Sequence, residues 1–125
     1  MSDHKNQPFA ARLSFALQGL AHGLRTQASL KLQAVAGVLA LLVLVVLRPT
    51  ALWWALVLLA SATVVAAELF NTAIEQLADE LHPHNSPGIR IVKDCAAAGV
   101  LVAVLGALGV AVAFAVHLMR SSAGA

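Results

Sequence analysis

Three long segments without a charged side chain most constrain what this chain can form. They cover residues 32–47, 49–67 and 95–119. A membrane-spanning helix needs about 20 apolar residues, so the second and third segments are long enough, whereas the first must begin inside the preceding helix. Backbone polar groups in lipid must be bonded within the protein, which favours helices. The sequence therefore predicts three membrane-spanning helices.

The composition excludes several other classes of protein. Hydrophobic residues make up 60% of the chain and charged residues only 11%, too little charge for the surface of a soluble domain. The net charge of +2 does not indicate nucleic-acid binding. Cys95 is the only cysteine, which excludes an intrachain disulfide and a multi-cysteine metal site. Residues 1–31 lack the apolar core and cleavage site of a secretory signal.

The residues before the first charge-free segment have a different pattern. Residues 9–31 alternate apolar and polar side chains at helical spacing, which is typical of an amphipathic helix on a membrane surface. Gly19 and Gly23 are four residues apart on it and allow close approach of another helix or a lipid. We expect a single all-α membrane domain over residues 1–125, with a surface helix at 9–31 and membrane helices at about 32–48, 50–80 and 93–119.

The distribution of charge predicts the orientation. With three spans, six basic residues lie on one side of the membrane and two on the other. The six are Lys5, Arg12, Arg25, Lys31, Arg90 and Lys93, and the two are Arg48 and Arg120. This excess places the N-terminus and the 80–93 loop in the cytoplasm. Five of the six acidic residues lie between positions 68 and 94, so the charged chemistry is expected at the cytoplasmic face.

Four polar residues where the second span leaves the hydrocarbon form a stripe on one helical face. They are Glu68, Asn71, Glu75 and Asp79, and spacings of three and four residues align them. Ionisable groups at this depth are expensive and usually serve a reaction or bind an ion. Across one short loop, Lys93-Asp94 adds an ammonium group and a further carboxylate.

Together these groups suit phosphoryl transfer. Mg²⁺ prefers one or two protein carboxylates and takes further oxygens from substrate phosphates. A metal and a lysine on a polyphosphate supply the positioning and charge neutralisation that this reaction needs. Glu68 lies deepest in the membrane, where it can reach a lipid hydroxyl as a general base. The chain has no Walker-type glycine loop, so an ATP site would be built without one.

The run Glu68-Leu-Phe-Asn71-Thr-Ala-Ile-Glu75, followed by Asp79 and Lys93-Asp94, resembles the prokaryotic diacylglycerol kinase family. That family includes the undecaprenol kinases of Gram-positive bacteria. The resemblance extends from Ser14-Phe15 through the third span. It implies a homotrimer of three-span subunits in the bacterial inner membrane, each with an N-terminal surface helix. It also implies Mg²⁺- and ATP-dependent phosphorylation of a membrane lipid alcohol at active sites shared between subunits.

The resemblance implies a role for individual residues. Glu68 matches the catalytic base, Glu75 matches a metal-binding carboxylate, and Asn71 and Asp79 match polar groups that order the site. The positions expected to bind ATP are Gln27, Glu75, His84, Asn85, Ser86, Lys93 and Asp94. The positions expected to border the lipid are Arg12, Ser14, Phe15, Gln18 and Gly19.

Gln27 departs from the family pattern, which usually has a glutamate at this position. That glutamate joins the second-helix glutamate, here Glu75, at the metal. An amide oxygen can still bind Mg²⁺, but the lost charge should weaken the affinity.

Three functions are candidates for this predicted site. The first is phosphorylation of diacylglycerol to phosphatidic acid. Undecaprenol phosphorylation is the alternative, since Ser14-Phe15-x-Leu17-x-Gly19-Leu20 resembles that branch. Both lipids present a hydroxyl, so the catalytic residues do not separate them. A transporter or channel using Glu68 as an ion site would need polar groups along the spans, whose outer two-thirds is apolar. A zinc site at His82 and His84 is less expected than an ordinary proline-rich loop.

Overall fold

In the computed structural model, which describes residues 7–82, 84 and 86–124, the chain forms four helices. They are α1 (Phe9–Thr26), α2 (Ala28–Leu47), α3 (Ala51–Leu81) and α4 (Pro87–Ala123). The last three are long and apolar enough to cross a membrane, and no strand occurs in the described part. This confirms the all-α fold with three membrane-length helices and an N-terminal helix.

A break at Gln27 separates α1 from α2. Gln27 has an extended backbone (φ −103°, ψ 117°), its N–H bonds to the carbonyl of Gly23, and its own carbonyl accepts from Lys31 N. One residue therefore closes one helix and opens the next. The expected surface helix of 9–31 ends at Thr26 instead, and residues 28–31 start the first span. This gives α2 the 20 residues that a span requires.

The two other connections place the ends of α3 and α4. Arg48 adopts a left-handed conformation (φ 46°, ψ 52°) after α2, and α3 begins two residues after Pro49. At the opposite end, α4 begins at Pro87, because Ser86 Oγ accepts from Ile89 N at 3.3 Å and Pro87 suits the first helical position. The expected start at residue 93 is six residues too late, so Lys93 lies in the second turn of α4.

Packing places the break at Gln27 beside the C-terminal half of α3. α3 packs most extensively on α4, α2 packs on α3, and α1 contacts both α2 and α3. The buried apolar residues are Leu30, Leu44, Val64, Ala78 and Phe114. Most other large apolar side chains are exposed on the helix surfaces, as expected for helices that face lipid. At the far end, Trp53 packs on Phe114 and His117, with ring centroids 5.0 and 5.2 Å apart.

Candidate active site

Glu68 is a buried carboxylate with one hydrogen-bonding side chain on it. It is 5% exposed, and Ser29 Oγ donates to its Oε2 at 3.0 Å from the first turn of α2. Thr72, also buried, donates to the main-chain carbonyl of Glu68 at 2.9 Å and does not bind the carboxylate. No Lys or Arg of the described residues forms an ion pair with Glu68. Among the described residues, the side-chain partner of this buried carboxylate is therefore a neutral hydroxyl.

A tight crossing of three helices lies next to this hydrogen bond. A Cβ atom on Gly23 would be 2.8 Å from Leu30 Cδ2 and 3.0 Å from Leu69 Cδ2, so only glycine fits without a shift of its neighbours. Leu30 follows Ser29 and Leu69 follows Glu68 in sequence. The same packing therefore aligns the two residues that form the hydrogen bond. The expectation that a glycine of α1 allows close approach holds for Gly23, whereas a Cβ on Gly19 would meet no atom within 4 Å.

Asn71 lies three residues after Glu68 on the same face. Its Oδ1 is buried and has no hydrogen-bond partner in the described part of the chain. An unpaired buried polar atom is unfavourable and calls for an explanation. A donor from a substrate or from metal-bound water would provide one.

An ion pair lies further along α3, near its end. Lys93 Nζ is 2.6 Å from Asp79 Oδ1 and also interacts electrostatically with Glu75. Asp79 is eleven residues beyond Glu68, about 16 Å along a helix axis. The structure thus brings Lys93 together with two members of the stripe, but at a level well separated from Glu68.

Asp94 does not share this arrangement with Lys93. Its carboxylate is 3.8 Å from Arg90 Nε one turn earlier on α4, and both side chains are largely exposed. Such a pair contributes little stability, so Asp94 remains accessible to a ligand.

The N-terminal helix α1 docks on α3 through a polar contact as well as through Gly23. His22 Nε2 and Gln76 Nε2 are 3.1 Å apart, which joins α1 to the C-terminal half of α3. The positions expected to border the lipid are all exposed along α1, and Gln18 Nε2 lies 3.5 Å from Ser14 Oγ. They include Arg12, Ser14, Phe15, Gln18 and Gly19.

The remaining expected ATP positions are less closely assembled. Gln27 is half-buried, and no hydrogen bond of the described residues joins it to Glu75. His84 is exposed, Ser86 caps α4, and Asn85 lies outside the described residues. Within the described ranges, no three His, Cys, Asp or Glu side chains are grouped as metal ligands.

The sequence alone did not identify Ser29 or the contact of His22 with Gln76. Ser29 falls inside the helix that the sequence predicts over residues 9–31, so its place in the first turn of α2 does not follow from that prediction. The available signal was the polar stretch Thr26-Gln27, which interrupts the apolar spacing just before the span.

Comparison with known proteins identifies the family of the chain. No curated protein sequence matches the chain. The sequence profile of the family described as prokaryotic diacylglycerol kinase matches residues 14–115. That match includes α2, α3, the loop after α3 and most of α4, together with every residue of the stripe and the Lys93-Asp94 pair. The chain therefore belongs to the prokaryotic diacylglycerol kinase family.

Proposed function

We propose that this protein transfers the γ-phosphoryl group of ATP to the hydroxyl of diacylglycerol and so forms phosphatidic acid. The observation that carries the proposal is the buried Glu68 carboxylate, which has a single neutral side-chain donor among the described residues and directly follows the charge-free segment of the membrane-length helix α3. Membership of the family supports lipid kinase activity.

In this reaction Glu68 acts as the general base. Its carboxylate accepts the proton of the lipid hydroxyl while the hydroxyl oxygen attacks the γ-phosphorus of ATP. The bond from the γ-phosphorus to the β–γ bridging oxygen breaks, and ADP leaves. Phosphoryl transfer needs mainly positioning of the reactants and neutralisation of phosphate charge. Glu68 would position the lipid hydroxyl, and Lys93 together with Mg²⁺ would neutralise the phosphates.

The second half of the site would hold the nucleotide. Glu75 and the Gln27 amide oxygen would bind Mg²⁺, which neutralises phosphate charge when bound. Mg²⁺ typically uses one or two carboxylates and completes its shell with water and phosphate oxygens, so an oxygen set with one carboxylate fits it. Lys93, near Glu75, would contact the phosphates, with Asp79 holding the ammonium group in place.

We extend the proposal to a homotrimer in the bacterial inner membrane with a cytoplasmic N-terminus. The excess of basic residues on the side of α1 and the α3–α4 loop supports this orientation. The exposed apolar surfaces of all three membrane-length helices offer area for both lipid and neighbouring subunits. Sharing of active sites between subunits would bring further groups to Glu68.

The interior between the spans does not resemble an ion pathway. A cleft of about 360 Å³ lies between α2, α3 and α4, and Gln33 and Ser61 are the polar residues among its described lining. A transporter or channel that used Glu68 as an ion site would need more polar groups along the path. Undecaprenol remains the second candidate substrate because of the α1 stretch from Ser14 to Leu20.

Activity on two lipids tests the proposal. The purified protein is incubated with Mg-ATP labelled at the γ-phosphate and with vesicles containing either diacylglycerol or undecaprenol. We expect higher kcat/KM for diacylglycerol. Preference for undecaprenol would establish the alternative substrate, and labelling of neither lipid would refute the lipid kinase proposal.

A further inference from the structure

We propose that Ser29 is a positioning residue for Glu68, a role that rests on the proposed lipid kinase activity. Ser29 Oγ donates to Glu68 Oε2 at 3.0 Å, across two helices and 39 positions of sequence. Of the residues that the structure describes, Ser29 is the one whose side chain donates to this carboxylate. The bond orients the carboxylate, and Oε1, which accepts from no side chain of the described residues, is the oxygen that would accept the proton of the lipid hydroxyl.

The hydrogen bond is held in register by packing on both of its ends. Leu30, next to Ser29, is fully buried, and both it and Leu69, next to Glu68, converge on Gly23 of α1. Neither end can slide without disturbing this crossing, because close-packed interiors tolerate little displacement. The serine hydroxyl is therefore presented to Glu68 at a defined position.

The chemistry of the donor also fits the role. A neutral hydroxyl fixes the carboxylate without giving it a counter-charge, so the carboxylate keeps its ability to accept a proton. Ser29 lies in the first turn of α2, just after the extended Gln27. Unpaired N–H groups and the positive end of the helix dipole at this turn favour the ionised carboxylate, which is the form that a general base needs.

Three serine variants test the role in the lipid phosphorylation assay. Ser29→Ala should lower kcat by about tenfold or more, as expected for losing a hydrogen bond to a charged group, with KM for Mg-ATP nearly unchanged. Ser29→Thr keeps the hydroxyl at an exposed position and should restore most of kcat. The matched control is Ser121→Ala, because Ser121 donates to His117 O within α4, at the opposite end of the fold. It should behave as wild type.

A second background separates positioning from a general structural effect. Glu68→Asp shortens the side chain by one methylene group and so should lengthen the 3.0 Å contact with Ser29 Oγ beyond hydrogen-bond range. The residual kcat of Glu68→Asp is the reference in this background. Adding Ser29→Ala to Glu68→Asp should then lower kcat by less than about twofold, because residues that act together give non-additive effects.

Several results would overturn the inference. Ser29→Ala with wild-type kcat would do so, as would the same fold loss in the Glu68→Asp background, or Ser29→Thr no better than Ser29→Ala. A wild-type protein that phosphorylates neither lipid would overturn the proposed function and this role with it. An active wild type with an unaffected Ser29→Ala would overturn the role alone.

Discussion

Replacing Gly23 by alanine should loosen the docking of α1 on the membrane helices. The added Cβ would lie 2.8 Å from Leu30 Cδ2 and 3.0 Å from Leu69 Cδ2, whereas carbon atoms in favourable contact are about 3.5–4.0 Å apart. Leu30 is 0% exposed, so its side chain has little room to retreat. Overpacking of this kind costs about 1–3 kcal/mol.

A neighbouring glycine supplies the control. Gly19 lies one turn earlier on α1, and a Cβ there would meet no atom within 4 Å. Both substitutions gain helix propensity of about 1 kcal/mol relative to glycine. The difference between the two variants in the free energy of local opening of α1 is free of this gain. It therefore equals the cost of the clash at Gly23, about 1–3 kcal/mol.

Hydrogen exchange of the α1 backbone amides in detergent micelles measures this difference, since it reports local opening. Exchange in Gly23→Ala should be about five- to a hundredfold faster than in Gly19→Ala, where tenfold corresponds to about 1.4 kcal/mol. Ser29 should also lose its alignment with Glu68, so lipid phosphorylation should fall in Gly23→Ala. Equal protection in the two variants would refute the close crossing at Gly23.

Four further substitutions separate the parts of the site. Glu68→Gln should lower lipid phosphorylation by more than about a hundredfold while the protein stays folded, as expected for loss of a general base; near-wild-type turnover would remove Glu68 from the mechanism. Glu75→Ala should raise the Mg²⁺ requirement and the KM for ATP, and a defect confined to the lipid KM would contradict its metal role. Gln27→Glu should lower the Mg²⁺ concentration for half-maximal activity, whereas identical Mg²⁺ titrations would mean that residue 27 is not at the metal. Asp79→Asn should raise the KM for ATP with little change in thermal stability, because a partly exposed ion pair contributes about 1 kcal/mol or less; an unchanged KM would show that Asp79 does not position Lys93.

The membrane helices and the face of the stripe could be predicted because the physical signals there are strong. Long charge-free segments leave few alternatives to spanning helices, and spacings of three and four residues align side chains on any helix. The proximity of Lys93 to the stripe followed from the short loop between α3 and α4. Its actual partner, Asp79, depends on where α4 begins.

The break at Gln27 could not be predicted in the same way. Glutamine is an ordinary helix residue, and neither proline nor glycine marks residues 26–29. What favours the break is tertiary: Leu30 becomes fully buried beneath Gly23, and α2 gains the length of a span. Ser86-Pro87 is a sequence signal for the start of α4, whereas the charged pair at 93–94 indicates only where the charge-free segment begins.

The break has a consequence for the chemistry, because it brings the first turn of α2 to the depth of Glu68. A continuous helix over residues 9–31 would have no free N–H groups at Ser29. With the break, Ser29 meets the buried carboxylate, while Lys93 and Asp79 form their pair about 16 Å further along α3. The proposed base therefore has a neutral partner, whereas the Lys93 ammonium group has anionic partners further along α3. This separation keeps Lys93 of the same chain from pairing with Glu68, as the proposed mechanism requires of a carboxylate that accepts the proton of the lipid hydroxyl.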